Sequence, residues 1–232
     1  MNDCGEPRRT RSTGLALLFP FIYQAAAVLC LRHWGSSAPW RDLDYFSGGF
    51  VALTLLLLLY EIQFKHGILQ LRETMQEAAG LTYDPATVRW GSILAVGDLA
   101  VFLDYGHWHL TVALRRSVPQ TTGLMLYTLA VAGLMWTDTC LARHFQGDLK
   151  DRRVMATGPF AIVRHPRYAG LLLAKVGFAL VFGSVFAWFS LLASILLIRR
   201  RIRLEEAHLQ RVFGPSYTDY MQRTPRMLPG VY

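Results

Sequence analysis

Charge is scarce in this sequence. Only 17% of its 232 residues are Asp, Glu, Lys or Arg, where a soluble domain carries about a quarter. That shortage, with 53% hydrophobic residues, excludes an ordinary water-soluble enzyme and excludes disorder. Cysteine is scarce too. Cys4, Cys30 and Cys140 lie far apart, odd in number and without a CxxC pair, which argues against a disulfide framework or a zinc site. Neither an internal repeat nor a low-complexity tract is present. Acidic residues are the rarer sign, 16 against 24 Lys and Arg, leaving a net charge of +8. In so apolar a chain that excess reads as membrane topology and not as a nucleic-acid footprint.

The apolar residues collect in runs of membrane-crossing length. Gly14 to Leu31, Tyr45 to Phe64, Trp90 to Leu110 and Gly123 to Ala142 are each near the ~20 residues that span a hydrocarbon core as helix. Arg8, Arg9 and Arg11 precede the first run with no clean small-residue cleavage site after it, so it reads as a span and not a signal peptide. The last run, Tyr168 to Ile198, would make a rod of roughly 46 Å, too long for a core of about 30 Å. Phe182-Gly183-Ser184 breaks it near its middle, so two short helices folded as a hairpin are expected. The expected fold is an all-α polytopic membrane bundle of four spans plus a C-terminal hairpin, about six helical segments. Residues 1–140 would form a lipid-facing cavity and residues 141–232 a polar functional core.

Orientation follows from the basic residues. With the N-terminus and both hairpin ends on the cytoplasmic side, nineteen Lys and Arg fall inside and four outside (Arg32, Arg41, Arg115 and Arg116), with Lys175 in the hairpin. The positive-inside rule favours that arrangement. Both termini and any chemistry at the hairpin's foot are thus expected at the cytoplasmic face. Between the second and third spans, Ile68, Leu69, Leu71 and Met75 alternate with Gln70, Arg72, Glu73 and Gln76, the spacing of an amphipathic surface helix.

Ionisable groups within spans are functional candidates, and Glu61, Asp98, Asp104, Asp138 and Lys175 are of this kind. They lack a recurrent ligand spacing, and His107 and His109 point in different directions on a helix, so local pairing is the expectation. The hairpin's two ends carry more. Gly158-Pro159-Phe160 and Arg164-His165-Pro166-Arg167-Tyr168-Ala169-Gly170 enter it, and Arg201-Ile202-Arg203-Leu204-Glu205-Glu206 leaves it. A hairpin returns both segments to one side, where they face each other. Pro159 and Pro166 stiffen the entry, and Arg201 and Glu205, four apart, share a helix face.

The RHPxYxG block, the apolar hairpin, RxxxEExxL and the closing Phe213-Gly214-Pro215-Ser216-Tyr217, Tyr220, Pro225 and Leu228-Pro229 together resemble the isoprenylcysteine carboxyl methyltransferases and related membrane methyltransferases. The resemblance covers residues 140 to 232. It implies S-adenosyl-L-methionine as cofactor, bound by Gln146, Arg152, Arg153, Val154, Met155, Phe160, His165, Pro166, Arg167, Tyr168 and Glu205. It also implies Arg201 as the cation that holds an acceptor carboxylate, with Glu206 available as a base for an amine acceptor. The family's H-x-L-V stretch here reads Arg152-Arg153-Val154-Met155, and Phe160 replaces its Tyr, so side-chain hydrogen bonds at both places are put in doubt. The acceptor implied is lipidic or prenylated and enters from the bilayer among membrane lipids. A prenylcysteine carboxylate leads, and a phospholipid amine is the alternative. An NADPH-dependent membrane sterol or steroid reductase shares part of the pattern, but has an Asn before the Tyr where Arg167 stands here. A transporter, built on the intramembrane aspartates, is the non-enzyme alternative.

Overall fold

The computed structural model describes residues 45–60, 85–110, 117–145 and 154–228 together with a few positions between 22 and 30. Gln146, Arg152, Arg153, Glu61, most of the first expected span and the expected surface helix at 67–84 lie outside the described residues. Among the described residues the chain is all-helical. Helix α1 is Tyr45–Tyr60 and α2 is Pro85–Leu103, continued by a π-helical turn, Asp104–Trp108. Helix α3 is Ser117–Phe145. Then come the short α4, Pro159–Ile162, the hairpin helices α5, Pro166–Phe182, and α6, Val185–Phe213, and finally α7, Pro215–Arg223.

The hairpin turns where the sequence breaks. Gly183 closes α5 in the left-handed region at φ 61°, donating to the Ala179 carbonyl at 2.9 Å, a conformation that glycine adopts without a Cβ penalty. Ser184 caps α6 by accepting from the Phe186 amide at 3.3 Å. One expectation needs correcting: the second arm is not short. Helix α6 runs 29 residues, about 43 Å, because Arg, Leu, Glu and Ala are good helix formers and nothing after Ile198 stops the helix until Gly214. The third expected span also ends differently. The α-helix gives way at Asp104, whose backbone oxygen accepts from His109 and whose carboxylate accepts from the Leu110 amide, each at 2.8 Å. Among the described residues one helix, at Pro119–Leu141, is long and apolar enough to cross a membrane, with Tyr45–Tyr60 a shorter apolar helix.

Packing centres on α3 against α5, with α2 and α5 both laid on α6. At the first crossing Gly123 meets Gly177 so closely that a Cβ on Gly177 would lie 2.7 Å from the Gly123 carbonyl oxygen. Higher on the same seam a Cβ on Gly170 would come 3.0 Å from Leu134. Small residues here let two backbones approach. The core beside this seam is aromatic: Phe50, Phe102, Phe178 and Phe182 stack with centroids 5.0–6.1 Å apart, in tilted and edge-on contacts that such rings prefer. A second, smaller core joins Ile198, Ile202 and Met227 to Tyr168, Ala169 and Leu172. It fastens the C-terminal tail to the foot of the hairpin.

Candidate active site

Of the ionisable residues expected within spans, Asp98, Lys175 and Asp138 pair across helices. Asp98 of α2 meets Lys175 of α5 and accepts from Ser190 of α6 at 2.6 Å, while Lys175 also donates to Ser190 at 3.0 Å. Asp138 of α3 accepts from Arg167 Nε at 3.1 Å. These ties cross between helices, as a buried charge in an apolar bundle requires. Among the described residues no three His, Cys, Asp or Glu side chains gather as a metal site needs.

The foot of the hairpin is organised differently. Gly158, at φ 60°, lets the chain turn into α4 against Cys140 of α3, and the segment Val163–His165 leads from α4 into α5. The tail that follows α7 runs beside it: Arg164 N donates to the Pro225 carbonyl at 2.8 Å and His165 N to the Arg226 carbonyl at 3.0 Å. Tyr220 of α7 donates its hydroxyl to the Phe160 carbonyl at 2.6 Å. Entry turn and tail are thereby locked together.

Two adjacent carboxylates on α6 face this turn, and their settings differ. Glu206 is buried, 5% exposed, yet touches two guanidinium groups and an imidazole. Arg226 holds it with two bonds, Nη2 to Oε2 at 2.8 Å and Nε to Oε1 at 3.2 Å. Arg164 lies 3.4 Å from Oε1, and His165 Nε2 lies 3.2 Å from the same oxygen. Because an ionised carboxylate only accepts, Nε2 must carry the proton, which fixes the His165 tautomer. Burial pushes the Glu206 carboxyl up, but the hydrogen bonds from His165 and Arg226 and the nearby guanidinium charges win, and its pKa is lowered to about 2. A group so acidic and so fully engaged is a poor proton acceptor.

Glu205 is turned the other way and is half-buried. The Tyr168 hydroxyl donates to its Oε2 at 2.9 Å, and Arg201, one turn earlier on α6, reaches the same hydroxyl. The His165 and Tyr168 rings sit 5.8 Å apart, so the two carboxylate settings meet at the first turn of α5. Pro166 is buried at the first position of that helix. Phe160, Val154 and Met155 are half-buried. His208, on the same helix, is held below the usual histidine range by burial and by Arg211, against a smaller opposing pull from Glu205.

Thus the structure brings together His165, Tyr168, Arg201, Glu205 and Glu206, with Phe160 tied in through its carbonyl. It gives Arg167 to Asp138, and Gln146, Arg152 and Arg153 lie outside the described residues. Arg164 and Arg226 were missed as members of the cluster. Arg226 sits inside the closing Pro225-to-Pro229 motif, and that place was the signal that could have found it.

The chemistry of this donor set suits a sulfonium nucleoside that also bears an amino acid head: Glu205 offers a carboxylate, Tyr168 and Phe160 offer aromatic faces, and the ordered backbone at 163–165 offers polar edges. Comparisons with known proteins find methyltransferases among the chains similar to this one. The phospholipid methyltransferase family model matches residues 118–216, so the match takes in α3 as well as the hairpin. Protein-S-isoprenylcysteine O-methyltransferase of Schizosaccharomyces pombe is 35% identical over 83 residues, 34% of each chain. Protein-S-isoprenylcysteine O-methyltransferase B of Arabidopsis thaliana is 30% identical over 116 residues, 45% of this chain and 57% of that one. The nickel-cobalt-cadmium resistance protein NccN of Alcaligenes xylosoxydans xylosoxydans is 29% identical over 141 residues, 60% of this chain and 62% of that one. The chain therefore spans between about a third and about three-fifths of the length of these relatives.

Proposed function

We propose that this chain, whose residues 118–216 match the phospholipid methyltransferase family model and which resembles isoprenylcysteine methyltransferases over part of its length, transfers a methyl group from S-adenosyl-L-methionine to a lipidic acceptor, with a prenylcysteine-like carboxylate first. The single observation that carries this reading is the Tyr168–Glu205–Arg201 group beside a His165 fixed in place by Glu206. The cofactor supplies an electrophilic methyl on a sulfonium, so transfer to a carboxylate cancels charge and needs no general base.

What the chain contributes is placement and exclusion of water. Glu205 holds a positive or hydroxyl-bearing part of the cofactor, helped by Tyr168. Val154, Met155, Phe160, His165 and Pro166 line the same end, with Gln146, Arg152 and Arg153 proposed to complete it. Arg167, tied to Asp138, anchors the first turn of α5 on α3. Arg201 presents its planar fork to the acceptor carboxylate. Glu206 serves as the keystone that orders Arg164, His165 and Arg226; its low pKa speaks against the base that an amine acceptor would need, and so for the carboxylate.

Large apolar side chains on the outer faces of α3 and α6, among them Met125 and Leu129, and Phe189 and Leu196, are 61–67% exposed. A bilayer is the solvent in which such faces cost nothing, and residues 1–140 are proposed to shape the cavity through which the acceptor enters. Termini and site are proposed to lie on the cytoplasmic side, the orientation that the distribution of basic residues favours. The reaction is drawn from the methyltransferase relatives.

The test is transfer of isotopically labelled methyl in reconstituted bilayers, offered a farnesylcysteine derivative or phosphatidylethanolamine. Label in a base-labile ester of the prenylcysteine is the expected result. Base-stable label in the phospholipid would move the acceptor to an amine, and no transfer to either would contradict the reading.

A further inference from the structure

We propose that the outer face of α6, where it leaves its apolar stretch, is a docking face for anionic phospholipid head groups, with Arg199 and Arg203 as the phosphate contacts. The inference rests on the membrane reading above. Along α6 the outward residues Val185, Phe189, Leu192 and Leu196 are 38%, 66%, 55% and 61% exposed. They recur every three or four residues and so form one stripe. The next positions of the same stripe are Arg199 and Arg203, both exposed. The face changes from apolar to cationic within a single turn, without rotating away from its surroundings.

The arginines keep their charge for an outside partner. Among the described residues neither pairs with a carboxylate. The acidic residues nearest on the helix, Glu205 and Glu206, are turned inward to Tyr168 and to the Arg164–His165–Arg226 cluster. Ile202, between them, is buried at 1% exposure and marks the inner face. In the membrane reading, two guanidinium groups one turn apart at the end of a lipid-facing stripe fall at head-group depth, where such long side chains reach the interface. That setting favours a lipid phosphate with net negative charge over a zwitterionic head group, whose own ammonium is repelled. It also matters to the site: Arg201 and Glu205 lie within the same two turns of α6, so seating Arg199 and Arg203 on phosphates fixes the depth at which the acceptor is met.

The experiment is native mass spectrometry of the full chain in detergent, offered equal phosphatidylglycerol and phosphatidylcholine. Each arginine near an anionic surface contributes about fivefold, so retention of phosphatidylglycerol should exceed phosphatidylcholine by about tenfold or more. Arg199→Gln with Arg203→Gln should bring the two lipids close to parity, and Arg199→Lys with Arg203→Lys should keep most of the preference, since charge is what is read. Parity in the unaltered protein, or an undiminished preference in the Gln variant, overturns the proposal while leaving the membrane reading intact. A chain that stays in solution without detergent and retains neither lipid overturns both.

Discussion

Among the described residues, the charge cluster around Asp98 and the one around Glu206 are built on different plans. Inside the bundle, Asp98 meets a single cation, Lys175, with Ser190 taking up the remaining hydrogen bonds. At the hairpin's foot, one carboxylate, Glu206, gathers Arg164, His165 and Arg226 from the entry turn and the tail. The first is a balanced pair that joins three helices. The second is an excess of positive charge organised by one anion, beside a half-buried carboxylate that faces Tyr168 instead. Balance suits a structural latch; a surplus of cations next to a differently placed acid suits a site that must order its own backbone and still receive a charged ligand.

Removing Glu206 gives the largest expected effect. Glu206→Ala leaves the nearly enclosed Arg164 and the quarter-exposed Arg226 without their anion, which should cost on the order of 3 kcal/mol or more, read as thermal unfolding in detergent, and should abolish nucleoside binding through His165. If the variant unfolds as the unaltered protein does, the foot cluster is not the keystone described. Lys175→Met comes next, about 3 kcal/mol, because Ser190 still satisfies part of Asp98. Its binding of S-adenosylhomocysteine should be unchanged, and Asp98→Leu with Lys175→Met should recover much of the stability. A loss of binding in Lys175→Met would erase the distinction between latch and site.

Acidification sharpens the contrast with a smaller effect. The Glu206 pKa is depressed from 4.5 to about 2, so the stability it contributes is fully present above about 4.5 and is lost as pH falls towards about 2. The difference in unfolding midpoint between the unaltered protein and Glu206→Gln should stay flat from pH 8 to about 5 and then narrow. A difference that widened on acidification would contradict the assignment. Smallest is Tyr168→Phe: one hydrogen bond to Glu205 removed, about 1 kcal/mol of stability, with a several-fold weaker hold on S-adenosylhomocysteine by calorimetry.

The legible parts of this molecule were those written locally. Gly183-Ser184 had to break the last apolar run, and the spacing of Arg201 and Glu205 had to put them on one face; both are so. The extent of α6 was not legible, because the end of an apolar run is not the end of a helix when Arg, Leu and Glu follow. Nor were the partners of Glu206. Arg226 is 20 residues away and His165 is 41, and a pairing at such separation leaves no periodicity to read. The same holds for Asp98 with Lys175, 77 residues apart: the sequence marks each as an odd charge in an apolar run, and only the packing of α2 on the hairpin shows that they belong together.

The central claim is that Glu205 and Tyr168, steadied by the Glu206 cluster, form the binding place of a methyl donor. Its most direct test is calorimetric titration of the detergent-purified chain with S-adenosylhomocysteine and, in parallel, with NADPH, repeated on Glu205→Ala. The account predicts binding of the nucleoside on the order of micromolar, weakened at least about tenfold in the variant, and no heat from NADPH. Binding of NADPH, or nucleoside binding indifferent to Glu205, would contradict it.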